Sequence, residues 1–497
     1  MSGPAGPHDE SGIWVISIVG RTIRKLRDEG YGAVVSPDGT QIAFLAGGIW
    51  LMGVDGEESH ELVSSKKGYG LGELHWSPEG QWLAYMKSHR DYRNYAEVTI
   101  ESRDLRGGQT TTLLSDPELI DFCWAPDGRI IYSRLESPNE ISSNLWEVRI
   151  DPQTGRASGE PRRLTSWAGF SLRNLQMTVD GKRLGFARKH DESDVYVVEL
   201  EGNGIASQTL RRLTLDDRMD WPGGWTRNSG AVLFFSDRNG NFNIFKQDIR
   251  GGPAEEIAGG AEEKRSPPLS PDGSWILYLS WPKMPGGGFP SMGRLMRVPV
   301  SGGPPQLVLE TKGYPGSARA PRERWVPSAR GYPDFRCPVL PATSCILAEA
   351  TLEQIVFSAF DALQGDKSEV TRLEVDAGDT FWDLSPDGSR IAFGKFDPHH
   401  GNIRILPLRG GTARQISVQG WSHLNSVGWS ADGKSLFVTK WGSRAGSLIR
   451  VDLNGVPQSQ PLELFLIERP VASPNGRHLA FAKLTPLECN AWMIEHF

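Results

Sequence analysis

Apolar and polar residues alternate with a period of two along most of this chain, in short runs broken by clusters of glycine, proline, asparagine and aspartate. Ile42-Ala43-Phe44, Leu83-Ala84-Tyr85, Leu184-Gly185-Phe186, Ile276-Leu277-Tyr278, Ile391-Ala392-Phe393 and Leu479-Ala480-Phe481 share an aliphatic–x–aromatic pattern. Period two places alternate side chains on one face, so each run predicts a strand. A tight turn precedes most of them: Ser36-Pro37-Asp38-Gly39, Ser77-Pro78-Glu79-Gly80, Ala125-Pro126-Asp127-Gly128, Ser270-Pro271-Asp272-Gly273, Ser385-Pro386-Asp387-Gly388, Ser430-Ala431-Asp432-Gly433 and Ser473-Pro474-Asn475-Gly476. Thr178-Val179-Asp180-Gly181 and Thr226-Arg227-Asn228-Ser229 are looser copies. Proline presets φ at the second position, Asp or Asn bonds its own backbone, and glycine accepts positive φ.

The residue before each turn is apolar: Val35, Trp76, Trp124, Met177, Trp225, Leu269, Leu384, Trp429 and Ala472. It ends an inward-facing first strand. A third strand follows the second, as in Ile49-Trp50-Leu51-Met52, Val195-Tyr196-Val197-Val198 and Ile403-Arg404-Ile405-Leu406, and Arg212-Leu213-Thr214 or Gln306-Leu307-Val308 then supplies a fourth. Four antiparallel strands repeating every 40 to 50 residues or so predict an all-β chain of β-propeller blades.

These copies resemble the TolB-like branch of bacterial WD-repeat propellers, whose blades carry Ser-Pro-Asp-Gly followed by Ile-Ala-Phe. The runs Arg211–Arg218 and Ser236–Asn241, the Cys337–Cys345 segment and the closing Asn490–Phe497 resemble, more narrowly, the C-terminal propeller region of bacterial membrane-tethered Ser/Thr kinases and winged-helix regulators. The resemblance spans about residues 12 to 497. It implies a scaffold, and a propeller scaffold serves many functions.

Nine turns are explicit, and Ile355-Val356-Phe357 marks a tenth second strand, with Leu352 where glycine is expected. Ten blade motifs exceed one ring and predict a tandem. The expected division has a disordered N-terminus over 1–11, three and a half blades over 12–165 and a propeller of about seven blades over 166–497, with the proline-rich region as the alternative boundary. Residues 22–26 read as a fourth strand able to complete the last blade, whose first three strands lie within 471–494, while Ile13–Ile16 would then duplicate Ala491–Ile494. The chain thus reads as the back part of a longer parent. Residues 282–341 hold 12 of the 34 prolines and read as a loop-like insertion, in which Gly313-Tyr314-Pro315 recurs as Gly331-Tyr332-Pro333. Lys312, Arg319, Arg322, Arg324, Arg330 and Arg336 make part of it basic.

The net charge of −6 offers no basic field for nucleic acid. No run approaches the roughly 20 apolar residues of a membrane helix, and Met1–Glu10 lacks the regions of a signal peptide. The chain as written reads as cytoplasmic, or periplasmic if it belongs to a tethered parent. Cys123 and Cys489 read as buried or half-buried thiols, and Cys337 with Cys345 permits a disulfide.

Candidate chemistry is mostly excluded. Gly428–Ser435 has P-loop spacing, but Leu436-Phe437-Val438 continues as strand where a phosphate cradle requires a helix. Asp237–Asn241 begins like a calcium loop but lacks the twelfth-position Glu, which leaves a hairpin turn. His399 and His400 beside Asp397, with His423 farther on, offer metal-ligand types in what reads as a hydrated loop. No kinase, hydrolase-elbow or metalloprotease motif occurs in a credible context. The expected function is a non-enzymatic binding or scaffold propeller without cofactor or metal, contacting an unidentified protein or peptide. The alternatives are a peptidase's regulatory propeller, an enzyme with a site at the channel mouth, or a sensing domain of a signalling protein. Asp216, Asp217, Arg218, Asp220 and Trp221 form the candidate contact loop, against a structural inter-blade network.

Overall fold

The computed structural model describes residues 12–17, 22–66, 69–91, 94–136, 139–151, 154, 156–167, 170–189, 192–202, 204–282, 292–312, 333–350, 354–374, 380–397, 399–441, 446–464, 466–485 and 490–495. Strands dominate them, and no helix among them is long and apolar enough to cross a membrane. The expected disorder over 1–11, Leu352, Cys489, four of the basic residues (Arg319, Arg322, Arg324, Arg330) and most of the repeated Gly-Tyr-Pro lie outside the described residues.

The turn motif folds as its chemistry dictates. Ser385 Oγ donates to Asp387 Oδ1 at 2.5 Å and accepts the Arg390 amide at 2.9 Å, which clamps the first strand to the second. Ser36, Ser270, Ser430 and Ser473 repeat the clamp, and Thr178 and Thr226 replace serine in the looser copies. The fourth residue takes positive φ, 67° at Gly388 and 58° even at Ser229.

The chain forms two compact units, residues 1–190 with 488–497, and residues 191–487. The first unit contains the pair Ile13–Ile16 and Ile23–Arg27 and three four-stranded sheets, beginning at Tyr31–Val35, Tyr69–Trp76 and Leu119–Trp124. Its last sheet is Ser171–Met177, Arg183–Lys189 and Asn490–Glu495.

The second unit contains six four-stranded sheets. Their first strands are Asp220–Trp225 in blade I, Glu263–Arg265 in II, Asp334–Arg336 in III, Thr380–Leu384 in IV, Leu424–Trp429 in V and Ile467–Ala472 in VI. Blade VI is completed by His478–Leu484, Ser193–Glu201 and Gly204–Arg212, so the two ends of this unit share one sheet. The Trp225 indole N–H donates to the Val471 carbonyl at 2.9 Å, joining blade I to blade VI and closing the ring. Apolar clusters lie between adjacent blades: Phe381, Ala392 and Ile405 of blade IV meet Trp429, Leu436 and Val438 of blade V. The fold is an all-β propeller.

Several expectations are corrected by strand pairing. Val195–Val198 is a third strand, but of blade VI; the third strand after Leu184-Gly185-Phe186 is Asn490–Glu495. Ala491–Ile494 therefore does not complete the sheet of Ile467–Ala472, and Ile23–Arg27 pairs with Ile13–Ile16. The division expected near 166 falls in the structure after His190, because the sheet beginning at Ser171 belongs to the first unit. The proline-rich 282–341 holds regular strands at Met292–Pro299, Gln306–Lys312 and Asp334–Arg336. Ile355-Val356-Phe357 lies in the third strand of blade III, Gln354–Asp361, whose second strand is Ser344–Ala350. The turn missing from blade III is the connection from Cys337 to Cys345, where a disulfide stands in place of the serine clamp.

Candidate functional site: the axis of the second unit

The first strands, or in blade II the residue just after one, carry a recurring backbone feature. Four residues before the first turn residue, φ is positive at Gly32 (61°), Glu73 (44°), Asn174 (54°), Ser266 (54°) and Arg469 (51°). Such a conformation is strained for any of these but glycine, and it redirects the side chain from the strand's regular alternation. Neighbouring blades hold it in place: the Arg469 amide donates to Ser426 Oγ at 3.1 Å, and the Asn174 amide donates to the Asp121 carboxylate. Ser426 and Asp121 occupy the same position in their own blades, so one inter-blade bond recurs in both units.

In the second unit these strands bring together charges from four blades. Arg336 of blade III contacts Asp334 of its own strand at 2.8 Å and Asp383 of blade IV at 3.2 Å. Asp334 also accepts a hydrogen bond from Ser266 of blade II at 2.9 Å. Arg469 of blade VI lies 3.8 Å from Asp334 Oδ2. Blades III and VI stand opposite each other in a ring of six, so this contact crosses the axis. The side chains retain access to water: 13% of Arg469, 14% of Asp334, 20% of Asp383 and 25% of Arg336 is exposed.

Electrostatics follow from this crowding. Burial pushes Asp334 up, but Arg336 and Arg469 outweigh it and hold the carboxyl below its ordinary range. Burial raises Asp383 to about 6, against the opposing pull of Arg336. Burial lowers Arg469 to about 10; Asp334 resists the change, and the Arg336 and Arg265 guanidiniums add to it. Arg265 and Arg469 both approach the ring of Phe235, at 5.9 and 5.4 Å. The arrangement suits recognition of a charged group.

The predicted contact loop is built differently. Asp220 and Trp221 are buried, so they are not surface anchors, while Asp217 and Arg218 are exposed. Arg238 reaches Asp216 at 3.0 Å and Asp220 at 3.2 Å, and Met219 N donates to Asp237 Oδ1 at 3.0 Å. Burial raises Asp220 to about 6, with Arg238 opposing. Asp237–Asn241 forms the hairpin turn between two strands of blade I, and Ser435–Lys440 follows the P-loop-like spacing as strand. Asp397 Oδ1 accepts the His399 and His400 amides at 2.7 and 3.1 Å, and His423 Nδ1 lies 2.9 Å from Ser422 Oγ. The groups that could hold a metal ion number none among the described residues.

Arg265, Asp383 and Arg469 escaped the sequence reading, and Arg336 was counted only in the basic stretch. The available signal was a charge placed within a first strand a few residues before the turn, where the strand pattern is otherwise apolar.

No protein-family model matches the chain. Dipeptidyl-peptidase 5 of Porphyromonas gingivalis is 25% identical over 199 residues, 37% of this chain and 28% of that protein. The uncharacterized protein Atu1656 of Agrobacterium fabrum is 23% identical over 187 residues, 37% of this chain and 58% of that one. The chain thus spans less than two thirds of either relative. Among solved structures, TolB from Acinetobacter baumannii is 13% identical with a TM-score of 0.24, covering 76% of this chain and 79% of that one. The propeller domain of the Trilobed protease from Pyrococcus furiosus is 15% identical with a TM-score of 0.27, covering 61% and 91%.

Proposed function

We propose that this chain is a binding or scaffold propeller that recognises a protein or peptide partner without chemical conversion. The observation that carries this reading is the charged cluster on the second unit's axis, where Arg469 and Asp334 from opposite blades meet while keeping part of their surface in water. A cluster of this kind supplies oriented charge for recognition. The Cys337–Cys345 bond supports an oxidising compartment, and with it the periplasmic alternative. Attachment to a signalling protein, as the kinase and winged-helix resemblance implies, fits a sensing role for the same axis.

The match to a dipeptidyl-peptidase favours a second reading, the regulatory propeller of a peptidase. Panning the intact chain against a random peptide library, with hydrolysis of dipeptidyl reporters measured in parallel, tests both. Saturable peptide binding without turnover is the expected result. Turnover by the purified chain overturns the non-enzymatic reading, and absence of any binder overturns the binding one.

A further inference from the structure

The sheet beginning at Ser171 ends at Asn490–Glu495 and has no fourth strand among the described residues, whereas the sheets beginning at Tyr31, Tyr69 and Leu119 and all six blades of the second unit have one. Its edge is bare: 48% of Trp492 and 58% of Met493 is exposed. Two four-stranded sheets share its build. In blade VI the Lys483 ammonium lies 5.2 Å from the ring centre of Tyr196, and in the sheet beginning at Leu119 the Arg134 guanidinium lies 5.4 Å from that of Trp146. Arg188 lies over Trp492 in the same way, at 5.3 Å. The register matches too: Arg188 is opposite Asn490, as Arg134 is opposite Asn144 and Lys483 opposite Asp194. Asn490, Ala491 and Trp492 thus hold the places of Asn144, Leu145 and Trp146, and of Asp194, Val195 and Tyr196.

In both of those sheets the fourth strand runs out through Arg-Arg-Leu-Thr, at 162–165 and 211–214. Arg163 stands opposite Trp146 and Arg212 opposite Tyr196. The Leu164 and Leu213 amides donate to the Leu145 and Val195 carbonyls, each at 2.8 Å. Thr165 Oγ1 accepts the Leu145 amide at 2.9 Å, and Thr214 Oγ1 the Val195 amide at 3.0 Å. Where the second strand brings no cation over the aromatic, the fourth strand places glutamate opposite it and lacks Leu-Thr, as with Glu61 opposite Trp50 and Glu256 opposite Phe245.

We propose that the edge of Asn490–Glu495 is a docking site for an extended segment of a protein partner, which adds to the sheet as its fourth strand and reads Arg-Leu-Thr, with the arginine opposite Trp492. The Ala491 carbonyl takes the leucine amide and the Ala491 amide goes to the threonine hydroxyl, as at Leu145 and Val195. Ladder bonds of this kind supply affinity, and alternate side chains supply the choice of segment. The guanidinium covers the exposed ring of Trp492. The leucine lies beside Ala491, which is exposed where Leu145 and Val195 are buried. An uncovered edge carrying Trp and Met is otherwise a template for unspecific pairing. This surface belongs to the first unit and does not depend on the axial cluster of the second.

The test follows, by fluorescence anisotropy, a labelled and end-blocked peptide on the full chain: Ser-Gln-Thr-Leu-Arg-Arg-Leu-Thr-Leu, the sequence of residues 207–215. One peptide variant replaces the second arginine by glutamate. Another replaces the leucine after it by proline, which removes the ladder amide. In the protein, Ala491→Pro removes the outward amide of the edge and Trp492→Ala removes the ring, and thermal unfolding verifies that each variant folds. One-to-one binding is expected, weakened roughly tenfold by either peptide change and by Ala491→Pro, and about threefold by Trp492→Ala. Hydrogen exchange should slow at 490–495 when the peptide is bound. Unchanged binding by folded Trp492→Ala and Ala491→Pro overturns the proposal, as does a proline peptide that binds as well as its parent, or no binding of the parent at millimolar concentration. A dimer of the full chain dispersed by Trp492→Ala assigns the edge to a second copy and overturns it too. Library peptides that bind where this peptide does not leave the binding function standing and remove only the edge assignment.

Discussion

Trp225 and Val471 are 246 residues apart in sequence, yet the indole N–H of the first donates to the carbonyl of the second at 2.9 Å. The same bond joins Trp76 to Val34 and Trp429 to Asp383, each linking the residue before one turn to the residue two before the preceding blade's turn. A bond repeated between sequential blades thereby also closes the ring. Trp225→Phe removes the donor, leaves a buried carbonyl without its partner and opens a small void. The expected loss is about 1 to 3 kcal/mol of unfolding free energy. Urea denaturation followed by intrinsic fluorescence measures it, and an unchanged midpoint would refute the role of this bond in closure.

The C-terminal strand Asn490–Glu495 covers the sheet of Ser171–Met177 and Arg183–Lys189, where Ile494 packs with the buried Leu184 and Phe186. A variant ending at Leu487 is expected to lose on the order of 3 kcal/mol in the first unit. The second unit, whose closing strands end before that point, is expected to keep its transition. Differential scanning calorimetry separates the two. Equal displacement of both transitions would contradict the strand assignment.

Cys337 and Cys345 are joined across a sequence separation of 8 at the place where other blades use a serine clamp. A loop of this size restricts the unfolded chain enough to contribute roughly 2.5 kcal/mol. Adding dithiothreitol should lower the unfolding midpoint of the wild type and leave that of Cys337→Ser/Cys345→Ser unmoved. Equal sensitivity of both proteins would place the effect elsewhere.

His75 lies edge-on to Phe122 at 4.9 Å, and burial lowers its pKa to about 4 from an ordinary 6.5. A depressed folded-state value means the unfolded chain binds the proton more tightly. The stability it contributes is complete above pH 6.5 or so and is lost as the pH falls toward 4. Between those limits the first unit is expected to lose about 2 kcal/mol, and His75→Gln should flatten that part of the profile. A slope equal in wild type and variant would assign the acid sensitivity to other groups.

The blade itself was legible in the residues because its determinants are local. Period-two alternation, the Ser385-to-Asp387 clamp and the positive φ at Gly388 are all set within a few residues, so turn and strand type follow directly. Where the turn motif is present, strand order within a blade was legible for the same reason: Val195–Val198 reads as a third strand and is one, whereas in blade III, which lacks the motif, Ile355–Phe357 reads as a second strand and is a third.

Which sheet that strand joins was decided only by tertiary structure. The pattern that makes Val195–Val198 fit beside Leu479–Phe481 makes it equally fit beside Leu184–Phe186, and local preference cannot separate the two. Ring closure does, by bringing distant first strands together and burying the apolar faces between blades. The axial cluster has the same origin. Arg469 and Asp334 carry no mutual signal in the sequence, being 135 residues apart in number, and meet because a ring of six places their blades opposite each other.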